Sequence, residues 1–305
     1  FPVGSAIGTP RYRPVEITPD SVVPLTFTVR MANVDATTEG FDKNIKDSSL
    51  CLINPDFYHR INRTAGTNSA DITVYFDNIL DGSYQNIAHW QNVPQWENIG
   101  TVTVINNVSP VLSSITKSSW NDFSFTPFAL AIPVPVVSLT NSTSAICAGD
   151  TVIFTATPGF TNYTFFVNTD TVQNGTDSIY TTVSISSGDT ISVVITIVGC
   201  NAKSNEITSM IVNPLPVVNL GLDTIVCAST VLDASNPGAI FNWSTTETTQ
   251  TIIVDSTGTY WVDVTDTATG CTTTDSINVT INPGLLVNLG VDTAFCGGTI
   301  TLDRK

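Results

Sequence analysis

Val218 to Cys227 reads VNLGLDTIVC, and it returns as VNLGVDTAFC from Val287 to Cys296, an offset of 69 residues (287 − 218). A segment that repeats at a fixed offset marks a repeated structural unit. One complete unit lies between the two copies, and its residues alternate. In AIFNWS, Phe241 and Trp243 share one face; in GTYWVDV, Tyr260, Val262 and Val264 share one face. That period of two predicts half-buried strands. TVLDA, TQTIIV and CTTTDSINVTI supply further strands, with the turn DSTG between two of them. At about 70 residues the unit buries little surface for its size, so its core is marginal alone. A disulfide between Cys227 and Cys271 is the expected remedy, contributing roughly 4 kcal/mol in the chain-entropy account.

The same plan is expected upstream. Three proline junctions, IPVPVVSL (132–139), NPLPVVNL (213–220) and NPGLLVNL (282–289), each run into a strand. Proline presets extended backbone, so these read as stiff boundaries. They divide the chain into 1–132, 133–213, 214–283 and a truncated further copy, 284–305. In 133–213, Val152, Phe154 and Ala156 alternate, and turns SSGD and QNGTD separate short strands. That spacing predicts a β-sandwich closed by Cys147 and Cys200. Region 1–132 reads as a larger β-sandwich with strands at 24–31, 71–77, 99–105 and 122–131. Leu25, Phe27 and Val29 face its core, and the polar loop 32–49 lies on the surface.

Composition agrees with an all-β chain. The 305 residues include 47 Thr and 27 Ser, and only 12% are charged, which favours strands and turns over helices. The net charge is −15, and 21 of the 26 acids are Asp. This balance argues against nucleic acid and anionic membrane surfaces as partners. No apolar run is long enough to span a bilayer as a helix. The six cysteines form no C-x-x-C pair, so a disulfide framework in an oxidising compartment is expected rather than zinc. Cys51 is expected as a buried free thiol. Cys296 opens the truncated copy, with its partner past Lys305. The abrupt ends, FPVG and TITLDRK, lead to the expectation of a piece of a longer protein.

At Leu220–Cys227, Leu232–Ala234, Asn242–Ile252, Gly258–Val264 and Gly270–Val279 the chain resembles the immunoglobulin-like or PKD-like repeats of large Bacteroidota surface proteins. These include gliding-motility-associated adhesins exported by type IX secretion. Phe1–Gly4, Tyr12–Pro14 and Phe123–Ala131 resemble a β-rich module of the same proteins. The resemblance implies an extracellular, cell-surface location and a non-catalytic structural role. It also implies a modification. Asp-Ser/Thr tripeptides place Ser21, Thr151, Thr171, Ser178, Thr190, Thr224, Ser256, Thr267, Ser276 and Thr293 in a pattern that resembles the O-glycosylation sequon of such proteins. A turn-ending Asp before a β-branched strand writes the same tripeptide.

No catalytic constellation is present: there is no G-x-S-x-G, H-E-x-x-H or P-loop. His59 and His89 sit among aromatics and read as packing or surface residues, not catalytic ones. Asp56, Asp77 and Asp81 are the carboxylates near aromatics that a glycosidase would need, and turn positions explain them. No cofactor is expected, save that Asp35, Glu39, Asp42 and Asp47 bring hard oxygens to one loop where calcium would bind. The leading expectation is a segment of an extracellular filament, stalk or adhesin. It would self-associate or contact neighbouring domains, by strand addition for example. The alternative is a carbohydrate-binding module on surface glycans, with Trp90, Trp96 and Trp120 as its aromatic platform.

Overall fold

A computed structural model describes residues 1–282 apart from 2, 6–9, 125, 126 and 199. The chain is all-β, with one short 3-10 helix, Ala36–Glu39, among the described residues. Two compact units divide it: residues 1–140, 154–180 and 190–207 form the first, and 141–153, 181–189 and 208–305 the second. Segments of 133–213 fall in both.

In the first unit, one sheet runs Thr103–Ile105, Ser113–Trp120, Ala70–Phe76, Val15–Pro19, and a second runs Thr26–Ala32, Tyr58–Ala65, Phe128–Pro133, Asn86–Trp90, Trp96–Asn98. Ile72, Val74, Phe76 and Ile115 of the first share a core with Ile61, Ile87, Phe128 and Leu130 of the second. The opposite face of the second sheet buries Tyr58, Ala88, Trp90, Trp96, Ala129 and Ala131 in a further core. This sheet is therefore covered on both sides, which is why FALA is an unbroken apolar run instead of an alternation. Its strand starts at Phe128, not 122, because the Asp122 side chain accepts from the Ser124 amide (3.1 Å) and turns the chain there. Likewise 99–105 is a strand only over Thr103–Ile105. Phe27 and Val29 pack on the core as expected. A four-stranded sheet, Asp170–Gly175, Tyr163–Val167, Ile191–Ile197, Cys200–Lys203, completes this unit. Leu139–Asn141, Val152–Ala156 and Ile179–Thr182 form a further, three-stranded sheet.

In the second unit, residues 218–282 form a two-sheet sandwich. Thr224–Val226 lies parallel to Thr272–Ile281, followed by Gly258–Thr265 and Ile240–Trp243; Thr230–Asp233 pairs with Thr251–Val254 in the other sheet. Leu232, Phe241, Trp243, Ile252, Tyr260, Val262, Val264 and Ile277 share one core, so the alternation read from the repeat is the packing. The organising stretch is fastened to the long strand: Asp275 accepts from the Leu220 amide (2.7 Å) and Asp223 from the Asn278 amide (2.9 Å). Gly221 sits at φ 91°, a conformation that a side chain would strain.

The disulfides are Cys51–Cys200 and Cys147–Cys271, with Cα–Cα separations of 5.1 and 5.6 Å, and Cys227 is a free, exposed cysteine. The expected pairs Cys147–Cys200 and Cys227–Cys271 are thus corrected, as is the free thiol at Cys51. The strand geometry gives the reason. Cys227 follows Val226, which is registered against Ile281, while Cys271 precedes Thr272 at the other end of the same ten-residue strand. At about 3.3 Å per residue that strand spans roughly 33 Å, whereas bridged Cα atoms lie within about 7 Å. Cys147 stands beside Asn213, at the end of its own short parallel strand. Cys296 lies outside the described residues.

Candidate functional site

A buried polar cluster in the first unit grows from the stretch Arg11-Tyr12-Arg13. Arg11 and Arg13 flank one residue, so in extended chain they point the same way. Both reach Asp81, whose side chain is fully buried: Arg13 Nη2 donates to Oδ1 at 2.9 Å and its Nε to Oδ2, while Arg11 Nε lies 3.3 Å from Oδ1. Arg11 also donates to Asn33 Oδ1 (2.8 Å) and to Asp56 (3.3 Å). The Asp77 amide donates to Asp81 Oδ2 at 2.8 Å, and Asp77 in turn accepts from the Ile79 and Leu80 amides and Ser109. Burial raises the Asp77 pKa, but those hydrogen bonds and the Arg13 charge outweigh it and the net direction is down. Asp77 and Asp81 therefore close a turn and neutralise arginines. Neither is placed as a proton donor, the role a glycosidase acid requires.

Beside this cluster an open, largely apolar cleft of about 530 Å³ is lined by Leu52, Tyr84, Ile132, Pro133, Phe160 and Val198, with Asp56 and Asp81 on its wall. Burial, then the charges of Asp56 and Asp81, push the Tyr84 phenol up, so it stays a neutral hydrogen-bonding group. Of its carboxylates, Asp56 pairs with Arg11 (3.3 Å) and Asp81 with Arg13. Among the described residues no three metal-ligating side chains converge.

His59 is fully buried, with Nε2 2.9 Å from the Arg13 carbonyl and Nδ1 without a partner. Burial pushes its pKa down to about 4, against the partial opposing effect of that carbonyl. The unfolded chain binds a proton below about 6.5 and the folded chain only below about 4. Stability from this residue is thus complete above pH 6.5 and is lost as pH falls towards 4, by up to roughly 3 kcal/mol. Urea midpoints from pH 7 to 4 should fall more steeply for the parent than for His59→Phe; parallel curves would refute this assignment. His89 stacks on Phe128 at 4.3 Å. Both histidines are core residues, the packing alternative of the two read from the sequence.

The loop carboxylates are each used locally. Asp35 caps Ala36–Glu39 through the Thr37 amide (2.9 Å) and pairs with Lys43. Glu39 meets Tyr58, Arg30 and Arg60, Asp42 accepts from Asn44, and Asp47 from Ser49. Each is thus held by neighbours within or beside the loop. The aromatic platform is also corrected. Trp96 is 0% and Trp90 9% exposed, each packed in the second core, and Trp120 packs on the first with its indole N–H bonded to the Asp122 carbonyl. The three rings serve two cores instead of one flat surface.

Of the ten sequon hydroxyls, Ser21, Thr151, Thr171, Ser256, Thr267 and Ser276 are exposed, Ser178, Thr190 and Thr224 half-buried, and Thr293 lies outside the described residues. Their aspartates have structural work: Asp150 accepts from the Cys147 amide, Asp177 from Ile179, Asp189 from Ser186, and Asp266 from Ala268 and Thr269. Sequence reading missed the Arg11–Arg13–Asp81 cluster, although the R-x-R spacing was its signal. It also missed the cleft, whose lining comes from segments over 100 residues apart.

No family model matches the chain, and no curated protein does. Among solved structures, the chain is similar to three N-terminal domains of the bacteriophage RB49 Hoc outer capsid protein, at 17% identity over 48% of this chain and 59% of that one, TM-score 0.26. It is similar to fibronectin(III)-like modules of Clostridium thermocellum CbhA at 14% identity, 48% and 94% coverage, TM-score 0.23. The I9–I11 tandem of titin matches at 8% identity, 71% and 93% coverage, TM-score 0.23. At these scores the likeness assigns no function.

Proposed function

We propose that the chain is a non-catalytic structural segment of an extracellular stalk, filament or adhesin at a cell surface. The observation that carries this reading is the pair of long-range disulfides. Cys51–Cys200 and Cys147–Cys271 close 149 and 124 residues of chain. Such ties persist in oxidising surroundings, and they limit how far a pulled chain extends. The carboxylates and histidines that chemistry would need are instead spent on folding. A lineage among Bacteroidota surface proteins, with type IX export, is part of the same proposal and rests on the repeat motifs alone.

The test is antibody labelling of intact cells that make the protein, together with protease shaving. Surface label that shaving removes supports the reading; label only after permeabilisation contradicts it. O-glycosylation is proposed at the exposed sequons, Ser21, Thr151, Thr171, Ser256, Thr267 and Ser276, where a glycan meets no packing cost. Intact-mass and peptide spectra of the native protein should show added hexose-type mass on these peptides. Bare peptides at all six would leave the tripeptides as turn signals only.

A further inference from the structure

One sheet of the sandwich 218–282 has two strands among the described residues, Thr230–Asp233 and Thr251–Val254. An edge strand carries unpaired backbone groups on its outer side, and the register says which ones. Ala234 donates its amide to the Gln250 carbonyl (3.1 Å), one position beyond the pair Asp233 and Thr251. Bonded and non-bonded pairs alternate along an antiparallel ladder, so Ile252 and Val254 exchange bonds with Leu232 and Thr230. The amides and carbonyls of Thr251 and Ile253 therefore face away from the sheet. Among the described residues the Ile253 groups find no backbone partner, and the Thr251 carbonyl accepts from the Thr249 hydroxyl (2.7 Å).

The side chains here are as open as the backbone. Ile253 is 71% and Val231 61% exposed, and the two are registered directly opposite each other. Thr251–Val254 holds no charge, no proline and no register shift, the devices that keep edges from pairing. Other edges of the chain have them. Asp170–Gly175 opens on a carboxylate and meets its neighbour through a register shift, and Cys200–Lys203 ends on a lysine.

We infer that the Thr251–Val254 edge takes the same edge of a second copy of this chain, antiparallel, about a two-fold axis at Ile253. The outward amide and carbonyl of each Ile253 then bond those of the other. This register sets Ile253 against Ile253 on the outer face and Ile252 against Val254 on the inner one, so apolar meets apolar on both. It sets each Thr251 against the other copy's Asp255, which keeps the two carboxylates apart. A shift by one step would set Ile253 against Thr251. On the outer face Val231 flanks Ile253 in each copy, so four β-branched side chains stand in one row. An isologous contact of this kind closes on two copies, so it joins two stalks side by side. It rests on the proposed stalk reading for its purpose, not for its geometry. Four residues a side bury less than a standard interface, and each copy carries a net charge of −15. The contact is therefore weak at low salt and tightens as salt screens the charge.

Cysteine trapping of the 305-residue chain tests the register. A Cys227→Ser background removes the exposed free thiol. In it, Ile253→Cys should give a covalent dimer in a glutathione redox buffer. Residues of a bonded antiparallel pair have Cα atoms about 5.5 Å apart, a distance that a disulfide spans. Val231→Cys is comparably exposed but stands three strand spacings, about 14 Å, from its mate, and should stay monomeric. No dimer through position 253, or equal trapping at both positions, would overturn the inference. In sedimentation velocity the parent should associate more as concentration and salt rise, and Ile253→Pro should not. Proline there spares the native ladder, since the amide it removes faces outward. Ile253→Lys gives the same readout should the proline variant fail to fold. A parent that stays monomeric throughout, or a folded Ile253→Lys variant that associates as the parent does, would equally overturn it. Loss of the trapped dimer bears on this contact alone, whereas loss of surface label on intact cells bears on the stalk reading.

Discussion

A thiol reductant is expected to lower the thermal midpoints of both units by about 10–20 °C. The chain-entropy account gives each disulfide about 5 kcal/mol, because loops of 149 and 124 residues are long. A loss of that size shifts the midpoint by about 2–4 °C per kcal/mol in units of this length. Each unit holds one bond, Cys51–Cys200 in the first and Cys147–Cys271 in the second. Cys51→Ala should therefore reproduce the loss in one transition and Cys271→Ala in the other, while Cys227→Ser moves neither. Calorimetry with and without reductant checks this. Unchanged midpoints would show that the bonds do not constrain the unfolded chain.

Asp81→Ala is expected to cost about 3–5 kcal/mol, because it strands a buried guanidinium without its counter-charge. Arg13 is 6% exposed overall and places two donors on that carboxylate. The substitution also removes the acceptor of the Asp77 amide, at the turn that Asp77 itself caps. Denaturant midpoints of the parent, Asp81→Ala, Arg13→Met and Asp81→Leu with Arg13→Met separate the charge penalty from the pair itself. The double variant should recover part of the single-site loss. A stability cost below about 1 kcal/mol for Asp81→Ala would return Asp81 to the functional candidates.

Alternation was the legible part of the fold. Val152, Phe154 and Ala156, Phe241 and Trp243, and Tyr260, Val262 and Val264 are all buried, as a period of two requires. A strand covered on one face writes its burial in the sequence. Phe128–Pro133 does not, because both its faces are covered and a continuous run carries no period. The disulfide partners were not legible either. The four correspondingly spaced cysteines admit three connectivities, none of which contains the observed Cys51–Cys200 bond, and spacing favours the pairing within each repeat. What decides it is that the first strand of the repeat pairs in parallel with the far end of the last, which separates its cysteines by a strand length. The Trp90, Trp96 and Trp120 platform failed for a related reason. Large rings fill cores as readily as they form exposed platforms, here Trp90 and Trp96 in one core and Trp120 against the other, and composition does not tell a filled core from an exposed face. The Arg–Asp cluster joins residues 68 apart, a distance over which local pattern is silent.

The central claim is that the chain is tied across its length by out-of-phase disulfides. Single-molecule extension of the 305-residue chain, pulled from its termini, tests it most directly. With Cys51–Cys200 and Cys147–Cys271 closed, the shortest covalent path crosses the first 51 residues, the stretch between Cys147 and Cys200, and the 34 residues after Cys271. At 3.6 Å per residue the fully unfolded oxidised chain should stop at about 500 Å and lengthen to about 1,100 Å in reductant. Pairing within each repeat would instead stop it at about 750 Å, and that value, or an oxidised length equal to the reduced one, would contradict the account.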